Sequence, residues 1–430
     1  MNAQDEYHRQ SPDERLSAEA GASDRRYYCL NMSTSEHKPS GPLSGVRVIE
    51  LGVWIAGPAA GGIMADWGAD VIKIEPPEGD PSRLFESILG GVLPSNPVFE
   101  LDNRSKRSIV LDLRTDDDLA TALELIAGAD VFLSNIRAGA LERLGLDYAT
   151  LSEKFPKLIY AHISGFGREG PDADRAAFDI AAFWARSGIA SLLTAPDQSP
   201  PFQRGGMGDH NTGLAAAGAV SAALFERTKS GQGQLVSTSL FREGMYTIGF
   251  DLNTKLMWGT DIGNNDRRFA PSPTANNYQL ADNRRIWVIG VDVHRHWPSL
   301  CRVAGLPELI DDERFATPRV RQANAGKLIS MFDAAFATMD MAAVERAGDE
   351  EPDFFWAPIN SLDDLLVDPQ FLASGALVEV PDEPGSVTTT TMVATPVDYS
   401  RTVVQPRMLA PELGQHSDEI RDELRQRDGA

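Results

Sequence analysis

Residues 49–75 read IELGVWIAGPAAGGIMADWGADVIKIE, and this run constrains the fold more than any other stretch. An apolar strand enters a glycine-rich turn. A small-residue helix follows, and a second apolar strand ends on Glu75. Strands that are apolar throughout, rather than alternating, belong in a sheet covered on both faces. The unit begins at VRVIELG (46–52) and recurs. SIVLDL (108–113) predicts a strand, DDLATALELIAGA (117–129) a helix and DVFLSNI (130–136) a strand. ALERLGLDYATLSEKFP (140–156) predicts a helix and LIYAHISGFG (158–167) a strand. In residues 208–240 a polar start leads into a helix rich in alanine, a Lys–Ser–Gly stop and another strand. Ala215, Ala216, Ala217 and Gly218 are expected to let that helix approach a neighbour closely. Repeated βα units of this kind predict a parallel α/β sheet.

The texture changes after about Gly249. Residues 255–280 read as loop, RRIWVIGVD (284–292) as a strand and 294–350 as mostly helical, together a second, smaller domain. Residues 380–410 return to strands and 411–428 end in a charged helix. The expected division is therefore 41–250, 251–379 and 380–430, the last returning to the large domain. Residues 1–38 are rich in Ser, Glu, Asp and Arg without periodicity and read as a disordered extension.

With 430 residues, 42% of them hydrophobic, the chain is long enough for two domains. It has no apolar run that could cross a bilayer and no secretory h-region. Its net charge of −22 argues against a nucleic-acid partner. Cys29 and Cys301 form no disulfide or metal framework, which fits a cytoplasmic protein.

The glycines of the opening stretch do not have the G-x-G-x-x-G spacing of a dinucleotide site, although Glu75 stands where a ribose-binding acid would. Neither a P-loop nor a G-x-S-x-G elbow occurs. His294 and His296 form an HxH, but residues two apart share no helical face, so a polar helix start is the better reading and no metal is expected. Asp209, in GGMGDHNTG, stands directly before the small-residue helix. The residues alone favour an N-cap; an exposed, ionised nucleophile beside backbone N–H groups is the alternative, and the motif by itself does not choose.

Four motifs in order carry a family resemblance: GPLSGVRVIELG with AGP and MADWGADVIKIE, NRSKRSIVLDLR, ADVFLSNIRAGALERLGLDY, and GMGDHNTG with ALFERTKSGQGQLVSTSL. Together with the later LGQHSDEI, they make residues 41–425 closely resemble the class III CoA-transferases, a superfamily that includes formyl-CoA transferase, carnitine CoA-transferase and alpha-methylacyl-CoA racemases. The resemblance implies a Rossmann-like large domain, a smaller α+β domain and a homodimer interlocked like rings. It implies coenzyme A or acyl-CoA as substrate, with no permanently bound cofactor. Trp54, Ile55 and Ala56 match the turn against which CoA lies. Leu111 matches an adenine-site leucine and Arg114 a basic residue near the phosphates. Asn135, Ile136 and Arg137 match the loop after the next strand, and Arg143 an arginine that meets the CoA phosphates. Arg175 and Asp179 fall where the family lines the pantetheine channel. The residue-level alternative for Arg114, Arg137 and Arg143 is solvated surface charge. Arginines at βα loops of an acidic chain also suit an anionic ligand.

By the same resemblance Asp209 is the catalytic aspartate. It would form an aspartyl–acyl anhydride and then an aspartyl-CoA thioester, moving CoA from a thioester to a free carboxylic acid. Backbone N–H groups near Gly205, Gly206 and Gly208 would meet the oxyanion. Racemases of the superfamily carry a histidine where this chain has Phe178, and neither His162 nor His210 matches it. Phenylalanine moves no proton, so racemisation is disfavoured. Formyl-CoA transferase has a glutamine where this chain has Ile55, and a glycine run absent from NNDRRFAPSPTANNYQ (264–279). Trp54, Ile55 and Phe178 suggest an apolar acyl pocket or, equally, core packing. Epimerisation of a branched acyl-CoA and silent acyl-CoA binding are the alternatives.

Overall fold

The computed structural model describes residues 41–85, 95–262, 266–267, 273–292 and 294–428. The expectation for residues 1–38 lies outside them, as does part of the 264–279 stretch.

Six strands form one parallel sheet: β1 (Arg47–Leu51), β2 (Asp70–Glu75), β3 (Arg107–Val110), β4 (Val131–Ser134), β5 (Ile159–Ser164) and β6 (Leu235–Ser239). Their order is β3-β2-β1-β4-β5-β6, the doubly wound order whose switch point lies between β1 and β4. β1, β2, β4 and β5 are buried because both faces are covered, whereas the edge strands β3 (RSIV) and β6 (LVSTS) are only partly so. One face carries Val48, Val71, Val131, Leu133 and Ala161 against α1 (Ala56–Asp66) and α5 (Met207–Ser230). The other carries Ile49, Ile72, Ile74, Ile109 and Phe132 with α3 (Asp116–Ala127) and, from the chain end, Ile420 and Leu424 of α9 (Ser417–Asp428). Between these helices lie α2 (Pro97–Asn103) and α4 (Ala138–Arg143).

Helices α1 and α5 pack very closely. A Cβ on Gly213 would lie 2.9 Å from the Ala59 Cβ and 3.0 Å from the Ala60 nitrogen. The buried face of α5 is Thr212, Gly213, Ala216, Ala217 and Val220, whereas Ala215 and Gly218 face outward. The expected close approach therefore occurs, but one step around the helix. The helix expected over 140–156 is broken: α4 ends at Arg143 and a second short helix covers Tyr148–Lys154, with Gly145 between them at φ 65°.

A second hydrophobic core lies under a three-stranded antiparallel sheet, β7 (Ala275–Gln279), β8 (Arg285–Ile289) and β9 (Trp356–Pro358). Tyr278, Ile286 and Val288 pack there on Trp297 and Leu300 of α6 (His296–Val303), Phe332 and Phe336 of α7 (Ala325–Phe336), and Val344 of α8 (Met341–Asp349). Helix extends to Trp258 and strand begins at Ala275, so the 255–280 stretch is less loop-like than its composition suggests. Strand structure after 377 is one hairpin, β10 (Leu377–Pro381) and β11 (Thr389–Val393). Among the described residues no helix is long and apolar enough to cross a membrane.

Beneath the carboxyl ends of β1 and β2 lies a fully buried charge network. Glu50 accepts from Lys73 Nζ at 3.0 Å and from Lys106 Nζ at 2.7 Å. Lys73 also reaches the Gly52 carbonyl at 3.0 Å and pairs with Asp80 at 2.8 Å. Lys106 reaches the Pro58 carbonyl at 2.9 Å and the Asn103 side chain at 3.0 Å. Gly61 of α1 has no side chain because the Glu50 carboxylate occupies that space. Burial opposes the charge on Lys73, yet Glu50, Asp80 and Glu75 hold its affinity for the proton above that of a free lysine. Burial pulls Lys106 down to about 8.

Glu50→Gln leaves two buried ammonium groups without their shared counter-charge. It should reduce unfolding free energy by about 3–5 kcal/mol, read from urea denaturation.

Candidate active site

The loops that leave the carboxyl ends of β1, β4, β5 and β6 enclose a cleft of about 100 Å³. Its lining includes Val53, Trp54, Ala56, Asn135, Phe178 and Asp209. This is the place where a doubly wound sheet holds its ligands.

The turn after β1 is held open under strain. Trp54 has φ 64°, a conformation that costs a bulky residue on the order of 1–3 kcal/mol. Two side chains fix it. Asn135, just past β4, accepts from the Val53 N–H at 2.9 Å and donates to the Val53 carbonyl at 2.7 Å. Asp80 accepts from the Trp54 N–H at 3.0 Å and is itself fixed by Lys73. The Trp54 ring then meets Phe178 edge-on, with centroids 5.6 Å apart.

Asp209 sits in the first turn of α5 and does not cap it. The N-cap is Gly206, at φ 80°. The capping acceptor comes from elsewhere: Asp179 Oδ2 accepts from the N–H of Gly208 at 3.0 Å and of Asp209 at 3.4 Å. Asp179 Oδ1 accepts from Gln203 Nε2 at 2.8 Å. Position 208 admits only glycine, because a Cβ would enter the space of Phe183 and Asp179. With its own N–H groups supplied from outside, the Asp209 carboxylate makes no hydrogen bond to any described residue and remains at the cleft. Burial, then the Asp179 carboxylate, raise its pKa to about 7, against which His210 pulls downward.

The cleft gathers Trp54, Ala56, Asn135, Asp179 and Asp209 from the sequence-level candidates. Gly205 and Gly206 adjoin it through the α5 start, while the Gly208 N–H is already taken by Asp179, so that group is not free for an oxyanion in this arrangement. Ile55, directly before α1, is buried at 7% exposure, and Leu111, just past β3, packs into the core at 1%; neither lines the cleft. The Ile136 carbonyl accepts from His162 at 2.8 Å. The arginines do not line it either. Arg114 is forked onto Asp112 at 2.7 and 2.9 Å, and Arg175 pairs with Asp172 at 3.6 Å. Arg137 and Arg143 lie exposed at the two ends of α4 and form no ion pair with a described residue. His296 starts α6, where its Nδ1 accepts from the Asp292 N–H at 3.2 Å and its ring packs on Phe355.

Sequence reasoning missed Asp80, Asp102 and Gln203. The partners of each are remote in the chain, so no local spacing marks them. Asp102, on α2, accepts from or shares a proton with His210 Nε2 at 3.0 Å.

Comparison with known proteins gives a consistent result. The description CoA-transferase family III matches residues 43–417. The (R)-2-hydroxy-4-methylpentanoate CoA-transferase of Clostridioides difficile is 31% identical over 88% of this chain and 94% of its own length. The succinate–glutarate CoA-transferase of Agrobacterium fabrum is 34% identical over 89% and 96%. A CAIB/BAIF family protein from Brucella suis, known from its crystal structure, superposes with a TM-score of 0.75 at 31% identity over 90% of this chain and all of that one.

The raised Asp209 pKa has a sign that stability can check. An acid that binds its proton more tightly in the folded chain supports folding below the unfolded pKa, and that support is lost as pH rises through about 7. Asp209→Asn should therefore gain thermal stability over wild type above pH 7, by on the order of a few degrees, and show no gain at pH 4.

Proposed function

The chain belongs to CoA-transferase family III, and on that premise we propose that Asp209 is its covalent nucleophile. The chain is a CoA-transferase. The observation that carries the finer reading is Asp209 itself, held at the cleft by an N-terminal cap that another residue supplies.

The proposed chemistry follows from that carboxylate. An Asp209 oxygen attacks the donor thioester carbonyl. The C–S bond breaks and CoA leaves as thiolate, giving an aspartyl–acyl anhydride. The thiolate attacks the aspartyl carbonyl and releases the donor acid as carboxylate, giving aspartyl-CoA. The acceptor carboxylate attacks the same carbonyl and expels the thiolate. The thiolate then attacks the acyl carbonyl of the new anhydride, which yields the product thioester and restores Asp209. No proton is gained or lost in any step. What the site must supply is an ionised Asp209 and exclusion of water from the anhydride. The glycine loop Gly205–Gly206 remains the candidate oxyanion donor, since neither N–H donates to a described residue. The exposed Arg137 and Arg143 at the ends of α4 are candidates for the CoA phosphates.

Trp54, Phe178, Ile163 and Leu240 give the cleft apolar walls, and among the described residues no arginine or lysine lines it. That favours an acyl group without a second carboxylate, closer to the 2-hydroxy-4-methylpentanoate of one relative than to the succinate and glutarate of another. Epimerisation is disfavoured by Phe178, which occupies a cleft position and can hold no proton. A homodimer, interlocked and built from a large domain with a smaller one between its segments, is part of the proposal. The exposed apolar run Tyr246, Phe250, Leu256, Met257 and Trp258, each 73–80% accessible in one chain, supports a partner there. The cytoplasm is the proposed compartment.

Three outcomes test this reading. CoA exchange between a panel of acyl-CoA donors and free acids, followed by mass spectrometry, should fall on the order of 10³-fold or more in Asp209→Asn. Hydroxylamine should trap the wild-type intermediate as a hydroxamate at Asp209 alone. Exchange that survives the substitution would exclude Asp209 as nucleophile. Light scattering should return twice the mass of one chain.

A further inference from the structure

Three carboxylates converge on the start of α5: Asp209, Asp179 and Asp102. Asp179 is spent on two backbone N–H groups and Gln203. Among the described residues no arginine or lysine lines the cleft to balance Asp209. A carboxylate crowded in this way protonates, and a protonated Asp209 attacks nothing.

One cationic group is in place to oppose this. His210 follows Asp209 on the same helical turn. Its Nε2 lies 3.0 Å from Asp102 Oδ1, and Asp102 is 3% exposed with its second oxygen unpartnered. The other edge of the ring rests on the glycine loop: a Cβ on Gly206 would lie 3.1 Å from Cε1 and 3.2 Å from Nδ1. Asp102 is itself fixed, because α2 lies so close to α1 that a Cβ on Gly62 would meet the Asp102 carbonyl at 2.7 Å. The imidazole thus has one orientation, while its side chain remains 41% open to solvent and can take up a proton.

We infer that His210, oriented by Asp102, is the positioning residue whose imidazolium keeps Asp209 ionised for attack on the thioester. This rests on the transferase reading above. The dyad is not a proton shuttle, since the transfer steps move no proton. Its contribution is a fixed positive charge. The groups that face it are Asp102 on α2, and Asp209 and Asp179 at the cleft, with Lys106 and Glu50 acting on Asp102 from the buried network. The hydrogen bond to Asp102 raises the His210 pKa, which fits a charged ring near neutrality. The His210 charge in turn lowers that of Asp209.

The experiment is a pH profile of kcat/KM for exchange in wild type, His210→Gln and Asp209→Asn, with NMR titration of the histidine ring in the full-length wild type and in Asp102→Asn. In His210→Gln the acid limb should move to higher pH. Exchange should then fall ~10-fold or more at pH 6.5 and converge on wild type by pH 9, because each unit of pKa is a factor of ten in the ionised fraction. The His210 ring should titrate above the ordinary histidine value, and about one unit or more lower in Asp102→Asn. A His210→Gln profile scaled down equally at every pH, or unchanged, overturns the inference. So does a ring that titrates alike in wild type and Asp102→Asn, a readout that needs no substrate. Exchange persisting in Asp209→Asn would instead sink the reading of Asp209 as nucleophile on which this inference rests.

Discussion

Glu50 carries the charge of two lysines in a place water cannot reach, and the mouth of the sheet is organised around it. A buried carboxylate with two ammonium partners tolerates little displacement, because any gap leaves a charge uncompensated. Lys73 therefore stands where it can also hold Asp80, and Asp80 holds the Trp54 N–H in a backbone conformation that tryptophan does not choose. Lys106 anchors Asn103, and Asn103 is the chain neighbour of Asp102, which orients His210. One pair of strand ends in this way sets both a wall of the cleft and the imidazole beside Asp209. The strain at Trp54 is maintained by the same electrostatics that stabilise the sheet edge.

Much of this architecture is legible in the sequence, for a physical reason. Apolar strands, capped helices and glycine turns are local signals, and the strands from VRVIELG to LVSTS lie where their composition puts them. The helix boundary at Gly145 and the extension of helix to Trp258 were hidden because short helices there depend on packing more than on propensity. The cleft was only half legible. Asp209 and Asp179 announce themselves by position, but that one caps the helix of the other is a contact across 30 residues that no spacing encodes. Ile55 and Leu111 carry motif positions yet are consumed by the core. The arginines show the opposite failure: residues with the right charge and loop stand on the surface, where Arg114 already has Asp112.

That division of charge has a consequence for the proposed ligand. Coenzyme A is highly charged at one end and reacts at the other. Here the cations stand outside, on α4 and neighbouring loops, while Asp209, the proposed nucleophile, stands among Trp54, Phe178, Ile163 and Leu240. Surface arginines contribute through attraction that salt screens, whereas a half-buried group in the cleft feels each neighbouring charge more strongly. Binding a phosphate outside therefore does little to the ionisation of Asp209. That quantity is decided locally, by burial and Asp179 on one side and His210 on the other.

The two demands on such a site conflict. An anhydride survives only where water is scarce, and scarcity of water raises the proton affinity of the carboxylate that must form it. An arginine beside Asp209 would resolve the ionisation but would bind the carboxylate outright and compete for the acyl carbonyl's place. A histidine held from behind by a buried aspartate is a milder solution. Its ring is held by one hydrogen bond to Asp102, so in the proposed mechanism it acts on Asp209 through the field without occupying its lone pairs. Lys106, paired with the buried Glu50, in turn holds the side chain of Asn103 next to Asp102. Ionisation of the cleft and stability of the sheet edge are thus coupled through Asn103 and Asp102, two adjacent residues at the end of α2.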